Sequence, residues 1–126
     1  MSTLPRSSTL FLIDDDDDLR FTIGLSLRDA GFEVREFASA DEALVDVVKE
    51  PPAAIFLDYR IDGMSAEAFV KALRDQSLGA VPVVLLTGSQ NIGQLARDLG
   101  VFDSLSKPFD LDDLVARAHA ASAANR

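Results

Sequence analysis

The chain has 126 residues, a length typical of one domain, and 48% of them are hydrophobic, so it can bury a sizeable core. Its formal net charge of −9 repels nucleic-acid phosphates and anionic lipids, which argues against direct DNA binding by this chain. It contains no Cys, which excludes disulfides and thiolate metal sites. Because no apolar run is long enough for a signal peptide or a membrane span, we expect a cytoplasmic protein without membrane insertion.

The apolar pattern predicts five strands that alternate with five helices, after a polar tail at residues 1–8. Continuous apolar runs indicate buried strands at 9–13, 53–57 and 81–86, and a shorter strand is expected at 102–106. Alternation at 32–37 indicates a strand with one wet face near a sheet edge. The helices are predicted from apolar residues at helical spacing: Leu19, Ile23, Leu27, Ala30; Ala43, Leu44, Val47, Val48; Phe69, Val70, Leu73; Ile92, Leu95, Leu99; and Leu111, Leu114, Val115, Ala118.

This alternation defines the predicted fold class. Repeated strand–helix units form a parallel sheet with helices on both faces, and right-handed crossovers leave few topologies. We therefore predict a doubly wound, five-stranded α/β domain with the flavodoxin-like strand order 2-1-3-4-5. The domain is expected to cover residues 9–121, between the N-terminal tail and a C-terminal tail at 122–126.

Polar residues follow four of the predicted strands: Asp14 and Asp15, Asp58, Thr87 and Lys107. Ligands of such sheets bind beyond the carboxyl ends of the strands, so these side chains are expected to converge. Two carboxylates ~4 Å apart repel by about 4 kcal/mol at an effective dielectric of 20, so three together need a cation. Oxygen ligands without His or Cys favour Mg2+, with Mn2+ as an alternative. An Asp neutralised in this way can act as a nucleophile toward phosphorus, and a hydroxyl and an ammonium can stabilise the transferring group.

Together these residues resemble the receiver domain of bacterial two-component response regulators. The resemblance covers about residues 9–120, nearly the whole chain. Each motif alone is weakly specific, but their order and their places at strand ends form a strong signal. The motifs are Asp14-Asp15, Leu57-Asp58, Leu86-Thr87-Gly88 and Lys107-Pro108-Phe109.

The resemblance implies a role for each residue of this set. Asp58 would accept a phosphoryl group from the phosphohistidine of a sensor histidine kinase or phosphotransfer protein. Mg2+ would be held by Asp14, Asp15, Asp58 and the backbone carbonyl of Arg60. The activity would be at most self-phosphorylation, from phosphohistidine or acetyl phosphate, and slow autodephosphorylation.

Further expectations concern the surroundings of the acceptor. Lys107 would bind a phosphoryl oxygen, and the peptide bond between Lys107 and Pro108 would be cis. Thr87 would hydrogen-bond the phosphoryl group and move when it arrives. Arg60 and Ser89 would influence how long the group survives. The resulting conformational change would regulate an unidentified partner, with the fourth helix, fifth strand and fifth helix as the usual output surface.

Three positions depart from the family pattern. Asp62 stands where a Pro is usual, and Met64-Ser65-Ala66 stands where Met-Asp-Gly is usual. Ser104 replaces the strand-five aromatic that usually turns inward on activation, and a Ser cannot fill the space of an aromatic ring. We therefore predict that movement of the segment from residue 87 to residue 99 carries the signal without an aromatic switch.

Other functions also fit parts of the sequence. Asp14-Asp15-Asp16 after the first strand matches the Asp-x-Asp pattern of haloacid-dehalogenase-type phosphatases, with Asp14 as nucleophile. That class needs a late acidic pair at a strand end, whereas Asp112 and Asp113 fall on a predicted helix, and it leaves Asp58 without a role. A receiver-like binding module that is never phosphorylated is a further alternative. The chain is expected to be a single-domain regulator, a phosphorelay shuttle or a fragment of a longer protein.

Overall fold

The computed structural model describes residues 9–61, 63–88 and 90–124. Five strands and five helices alternate along the chain, and the strands pair in parallel in the order β2-β1-β3-β4-β5. This confirms the predicted flavodoxin-like α/β fold. The elements are β1 (Thr9–Ile13), α1 (Asp17–Asp29), β2 (Glu33–Phe37), α2 (Ala40–Lys49), β3 (Ala54–Asp58), α3 (Ala66–Asp75), β4 (Val83–Thr87), α4 (Ile92–Leu99), β5 (Asp103–Ser106) and α5 (Leu111–Ala124).

Two apolar layers hold the helices against the sheet. One layer joins alternate strand residues, such as Ile13 and Leu57, to α2, α3 and α4. The other joins the opposite face, including Leu12 and Phe56, to α1 and α5. Full burial of one such large side chain stabilises the fold by roughly 1.5–3 kcal/mol. The central strands are therefore fixed from both faces, and so are the residues at their carboxyl ends.

Side-chain caps begin three of the helices. Asp16 accepts a hydrogen bond from the Leu19 N–H at 3.1 Å, and Ser65 accepts one from the Ala68 N–H at 3.1 Å. Ser39 accepts one from the Glu42 N–H at 3.3 Å. Each cap of this kind stabilises a helix by about 1 kcal/mol. The cap at Asp16 also defines where the loop after β1 ends.

Two side chains that we predicted to face the core are exposed instead. Val48 lies on the solvent side of α2, because that narrow helix face is filled by Ala40, Ala43 and Val47 at spacings of three and four. Leu111 begins α5 and is also exposed, since the buried positions of this helix start at Leu114.

The domain was predicted to end at residue 121, and the last helix extends beyond that position. Helix α5 continues to Ala124, because Ala121 is buried against the sheet and Ala is the strongest helix former. The predicted tail at residues 1–8, the last two residues, Asp62 and Ser89 lie outside the described residues. Within the described part of the chain, no helix combines the length and apolar content needed to cross a membrane.

Candidate functional site

Three acidic residues meet at the carboxyl edge of the sheet. Asp14 directly follows β1 and Asp58 is the last residue of β3, and these two strands pair side by side. Asp14 and Asp58 are 0% and 5% exposed, whereas Asp15 is exposed. One carboxylate oxygen from each of the three lies within 4.8 Å of the others. The convergence expected from the strand-end positions is therefore present in the fold.

Lys107 reaches this acidic cluster from the other side. Its Nζ atom lies 3.3 Å from Asp58 Oδ1 and 3.5 Å from Asp14 Oδ2. Its backbone N–H donates to the carbonyl of Thr87 at 2.9 Å, which joins the loop after β5 to the end of β4. The peptide bond between Lys107 and Pro108 is cis, as the resemblance implied. Thr87 is buried at the end of β4, which lies between β3 and β5.

The buried carboxylates of Asp14 and Asp58 have few groups around them that stabilise negative charge. The pKa of Asp58 is raised to about 6, chiefly by burial and then by the charge of Asp14. The Lys107 ammonium and the Arg60 N–H, which donates to Asp58 Oδ1 at 3.2 Å, act in the opposite direction. Asp14 Oδ1 accepts from the Asp16 N–H at 2.9 Å, but its buried Oδ2 has no hydrogen-bond donor among the described residues. A bound cation would offset the charge that these contacts leave uncompensated.

The donor set fits a hard divalent cation. All three acidic residues offer oxygen, and neither His nor Cys is among them. Asp14 Oδ2 faces the Lys107 ammonium at 3.5 Å but accepts no hydrogen bond from the described residues, so it can serve as a ligand atom. Asp14, Asp15 and Asp58 would hold Mg2+ here. The backbone carbonyl of Arg60 as a further ligand stays a prediction.

Two residues that the sequence did not single out support the loops of this site. Arg20 in α1 donates to the backbone carbonyl of Asp14 at 2.6 Å. The Tyr59 hydroxyl donates to Glu67 on α3 at 2.8 Å, and this contact raises the pKa of Tyr59. The contact of Arg20 has one signal in the sequence, an Arg near the start of the helix that follows an acidic loop. Helical side chains lean toward the helix N-terminus, so such an Arg can reach back to that loop.

Ser104 lies in β5 opposite Leu85 and is half buried. A groove of about 380 Å³ runs beside it, with Ile92, Phe109 and Arg117 among its lining residues. Asp112 and Asp113, the late acids of the phosphatase alternative, are exposed on the first turn of α5 rather than at a strand end. The phosphatase interpretation is therefore not favoured.

Comparison with known proteins agrees with this geometry. The chain resembles the crystal structure of a response regulator from Chloroflexus aurantiacus, with a TM-score of 0.86 and 34% identity, covering 94% of this chain and 99% of that one. It also resembles the chemotaxis protein CheY4 of Vibrio cholerae, with a TM-score of 0.82 and 29% identity, covering 93% of this chain and 99% of that one.

A longer relative is the C4-dicarboxylate transport transcriptional regulatory protein DctD of Rhizobium meliloti. It is 36% identical over the whole of this chain, but the match covers only 27% of that protein. This chain therefore spans about a quarter of the length of DctD. The model of the response regulator receiver domain matches residues 10–119. The chain belongs to the family of response regulator receiver domains of two-component systems.

Proposed function

We propose that Asp58 is the phosphoacceptor of this receiver domain and that Asp14 and Asp15 hold Mg2+ beside it. The observation that carries the proposal is the position of the Asp58 carboxylate. It lies 3.3 Å from the Lys107 ammonium and in the same oxygen cluster as Asp14 and Asp15. A carboxylate flanked by an ammonium and a metal-binding acid pair suits an incoming phosphoryl group, because the ammonium and the metal stabilise the negative charge on its oxygens.

In the proposed reaction, an Asp58 carboxylate oxygen forms a bond to phosphorus while the bond from phosphorus to the donor imidazole nitrogen breaks. The electron pair of that bond stays on the imidazole. With a pKa of about 6, Asp58 is mostly ionised at pH 7 and can act as the nucleophile. The Lys107 ammonium would neutralise a phosphoryl oxygen, and the Thr87 hydroxyl would donate a hydrogen bond to another. When bound, Mg2+ supplies positive charge that reduces repulsion between the acids and the phosphoryl group.

The donor would be a sensor histidine kinase or a histidine phosphotransfer protein. An apolar surface on α1 supports contact with a protein donor: Phe21 and Leu25 are 59% and 51% exposed, one helical turn apart. Another part of the same helix, at Leu19, Thr22 and Ile23, lines a groove of about 520 Å³ that reaches Lys107 and Pro108, so α1 itself adjoins the acceptor. An exposed apolar patch next to a reactive group is typical of a docking surface.

Donor docking can be separated from the chemistry itself. Phe21→Ala with Leu25→Ala should slow phosphorylation by a purified phosphotransfer protein but leave phosphorylation by acetyl phosphate unchanged, since acetyl phosphate needs no docking surface. Val45→Ala with Val48→Ala on α2 is the matched control, because those side chains are also exposed and apolar. Equal slowing with both donors would contradict a docking role.

We further propose that the domain works in the cytoplasm and passes its signal to a protein partner rather than to DNA directly. The net charge of −9 supports a protein partner rather than DNA, because it opposes contact with a phosphate backbone.

Mass spectrometry after incubation with acetyl phosphate and Mg2+ tests the proposed function. We expect one phosphoryl group per chain, located on Asp58. A label on Asp14 would overturn the proposal and favour the phosphatase alternative. Absence of any label, with the protein folded and Mg2+ bound, would favour a receiver-like binding module.

A further inference from the structure

Arg20 joins three parts of the chain next to the acidic cluster. Its side chain is only 16% exposed, although it lies in the first turn of a surface helix. One guanidinium nitrogen donates to the backbone carbonyl of Asp14 at 2.6 Å, and another donates to Asp17 Oδ1 at 2.6 Å. Its Nε atom lies 3.6 Å from Glu36 Oε1 on β2. A single side chain thus connects the loop after β1, the start of α1 and the edge strand.

Glu36, the partner of Arg20 on β2, is itself fixed by contacts with α1. Its second carboxylate oxygen accepts from Arg28 at 2.7 Å, and Arg28 also donates to the Val34 carbonyl at 2.9 Å. Gly24 lies against the same carboxylate, and a Cβ atom there would come within 2.7 Å of Glu36 Oε2. The absence of a side chain at Gly24 therefore lets Glu36 rest on α1 between the two arginines.

The contact with Asp14 fixes the backbone from which the metal-binding side chains project. The Asp14 N–H donates to the Phe37 carbonyl at 3.1 Å, and the Asp14 carbonyl accepts from Arg20. The peptide group after Asp14 leads directly to Asp15, whose side chain is exposed. Without the Arg20 contact, this peptide could rotate, and ordering both carboxylates around a cation would cost more conformational entropy.

We propose that Arg20 is a positioning residue for the acidic site, because it holds the Asp14 carbonyl and thereby orients Asp14 and Asp15 for a divalent cation. This inference rests on the proposed Mg2+ site. A purely electrostatic role predicts the opposite effect, since a guanidinium charge near three carboxylates disfavours a second cation. The sign of the change in Mg2+ affinity on removing Arg20 therefore separates positioning from charge.

Arg20→Ala and Arg28→Ala form a matched pair for this test. Each removes one positive charge from α1 and one contact with Glu36, but only Arg20→Ala removes the hydrogen bond to Asp14. We expect the dissociation constant for Mg2+, measured by calorimetric titration at fixed pH and ionic strength, to rise about 10-fold in Arg20→Ala. It should stay unchanged in Arg28→Ala. Unchanged or tighter binding by Arg20→Ala, or equal weakening in both variants, would overturn the proposal.

A second readout does not depend on metal. The Asp16 N–H donates to Asp14 Oδ1, so its hydrogen exchange reports the position of the Asp14 carboxylate. In metal-free protein, exchange at Asp16 should be faster in Arg20→Ala than in wild type and unchanged in Arg28→Ala. Unchanged exchange in both variants would contradict the positioning role.

Arg20→Lys guards against misfolding of the alanine variant. It keeps the charge, but one ammonium group cannot span three acceptors, so Mg2+ binding should still weaken. Wild-type affinity in Arg20→Lys would show that the guanidinium contacts are not needed for Mg2+ binding and would overturn the proposal. If wild-type protein bound no Mg2+ while Asp16 exchange still responded to Arg20→Ala, the proposed metal site would fail and the structural contact would stand.

Discussion

The acceptor edge, formed by Asp14, Asp15, Asp58, Thr87 and Lys107, lies beside the face formed by β5 and α5, and the two differ in how far they match the receiver pattern. Every residue type that the receiver pattern expects is present at the acceptor edge. On the neighbouring face, Ser104 stands where an aromatic is usual. The acceptor edge thus keeps the receiver pattern, whereas the neighbouring face departs from it at Ser104.

The two regions also differ in how their charges are balanced. On the β5–α5 face, Asp103 and Arg117 form an ion pair at 2.9 Å that is partly open to solvent. At the acceptor edge, Asp14 Oδ2 is buried without a hydrogen-bond donor among the described residues, and Asp58 has a raised pKa. The acceptor edge therefore gathers three carboxylates beside the ammonium of Lys107, whereas Asp103 and Arg117 form a one-to-one ion pair.

The largest effect is expected from Asp58→Asn, which keeps the shape of the side chain but removes the nucleophile. Phosphoryl incorporation from acetyl phosphate in Mg2+ should fall to background in an intact-mass measurement. Asp75→Asn, at the exposed end of α3, is the control and should be labelled like wild type. Substantial labelling of Asp58→Asn would place the acceptor elsewhere in the molecule.

Lys107→Ala should reduce the rate of phosphorylation by about 100-fold, the effect typical of losing one preorganised group that stabilises transition-state charge. The time course of labelling by acetyl phosphate measures this rate. Lys71→Ala removes an exposed ammonium that pairs with Asp75 at 2.9 Å and should leave the rate unchanged. Equal rates for wild type and Lys107→Ala would separate this lysine from the chemistry.

A pH series on metal-free protein tests the electrostatic half of the comparison. Because the folded-state pKa of Asp58 is about 6, above the ordinary Asp value of 3.8, the folded state binds this proton more tightly than the unfolded state does. The stabilising contribution of protonated Asp58 is therefore fully present below pH ~4 and is lost as pH rises through ~6.

The consequence is measured as the difference in unfolding free energy between Asp58→Asn and wild type in EDTA. This difference should increase in favour of Asp58→Asn between pH 4 and 7, by at most about 3 kcal/mol. Saturating Mg2+ should reduce it, since the cation stabilises the folded wild type. A difference that stays constant across this pH range would contradict the raised pKa.

The smallest effect is expected at Ser104. Ser104→Ala should leave both the phosphorylation rate and the exchange changes caused by the phosphoryl analogue beryllofluoride as they are in wild type. Thr87→Ala should instead suppress the exchange changes in the segment from residue 87 to residue 99. If Ser104→Ala suppresses them as strongly, the readout does pass through this position in β5.

The sequence predicted those features that depend on periodicity and strand order. Buried runs such as 53–57 define central strands, and parallel pairing then brings Asp14 and Asp58 to one edge without further information. Helix faces were less predictable, because periodicity gives the direction of a stripe but not its width. Val48 falls outside the narrow buried face of α2 for this reason, whereas Leu111 is exposed because it begins α5, ahead of the first buried position at Leu114.

Contacts between a side chain and another part of the fold were harder still to predict. The bond from Arg20 to the Asp14 carbonyl and the Tyr59–Glu67 bond depend on loop geometry, which leaves no periodic signal. The same holds for the raised pKa of Asp58, which requires the distance to Asp14 and the degree of burial. Residue types located the site, but its electrostatics and its support required coordinates.

Amide NMR with Mg2+ and beryllofluoride tests the central claim most directly. Mg2+ alone should shift the amides at and beside Asp14, Asp15 and Asp58, and beryllofluoride should then shift those near Thr87 and Lys107. The second set of shifts should require Mg2+ and vanish in Asp58→Asn. Beryllofluoride shifts that persist without Mg2+ or in Asp58→Asn, or that map away from the acceptor edge, would contradict a metal-assisted phosphoacceptor at Asp58.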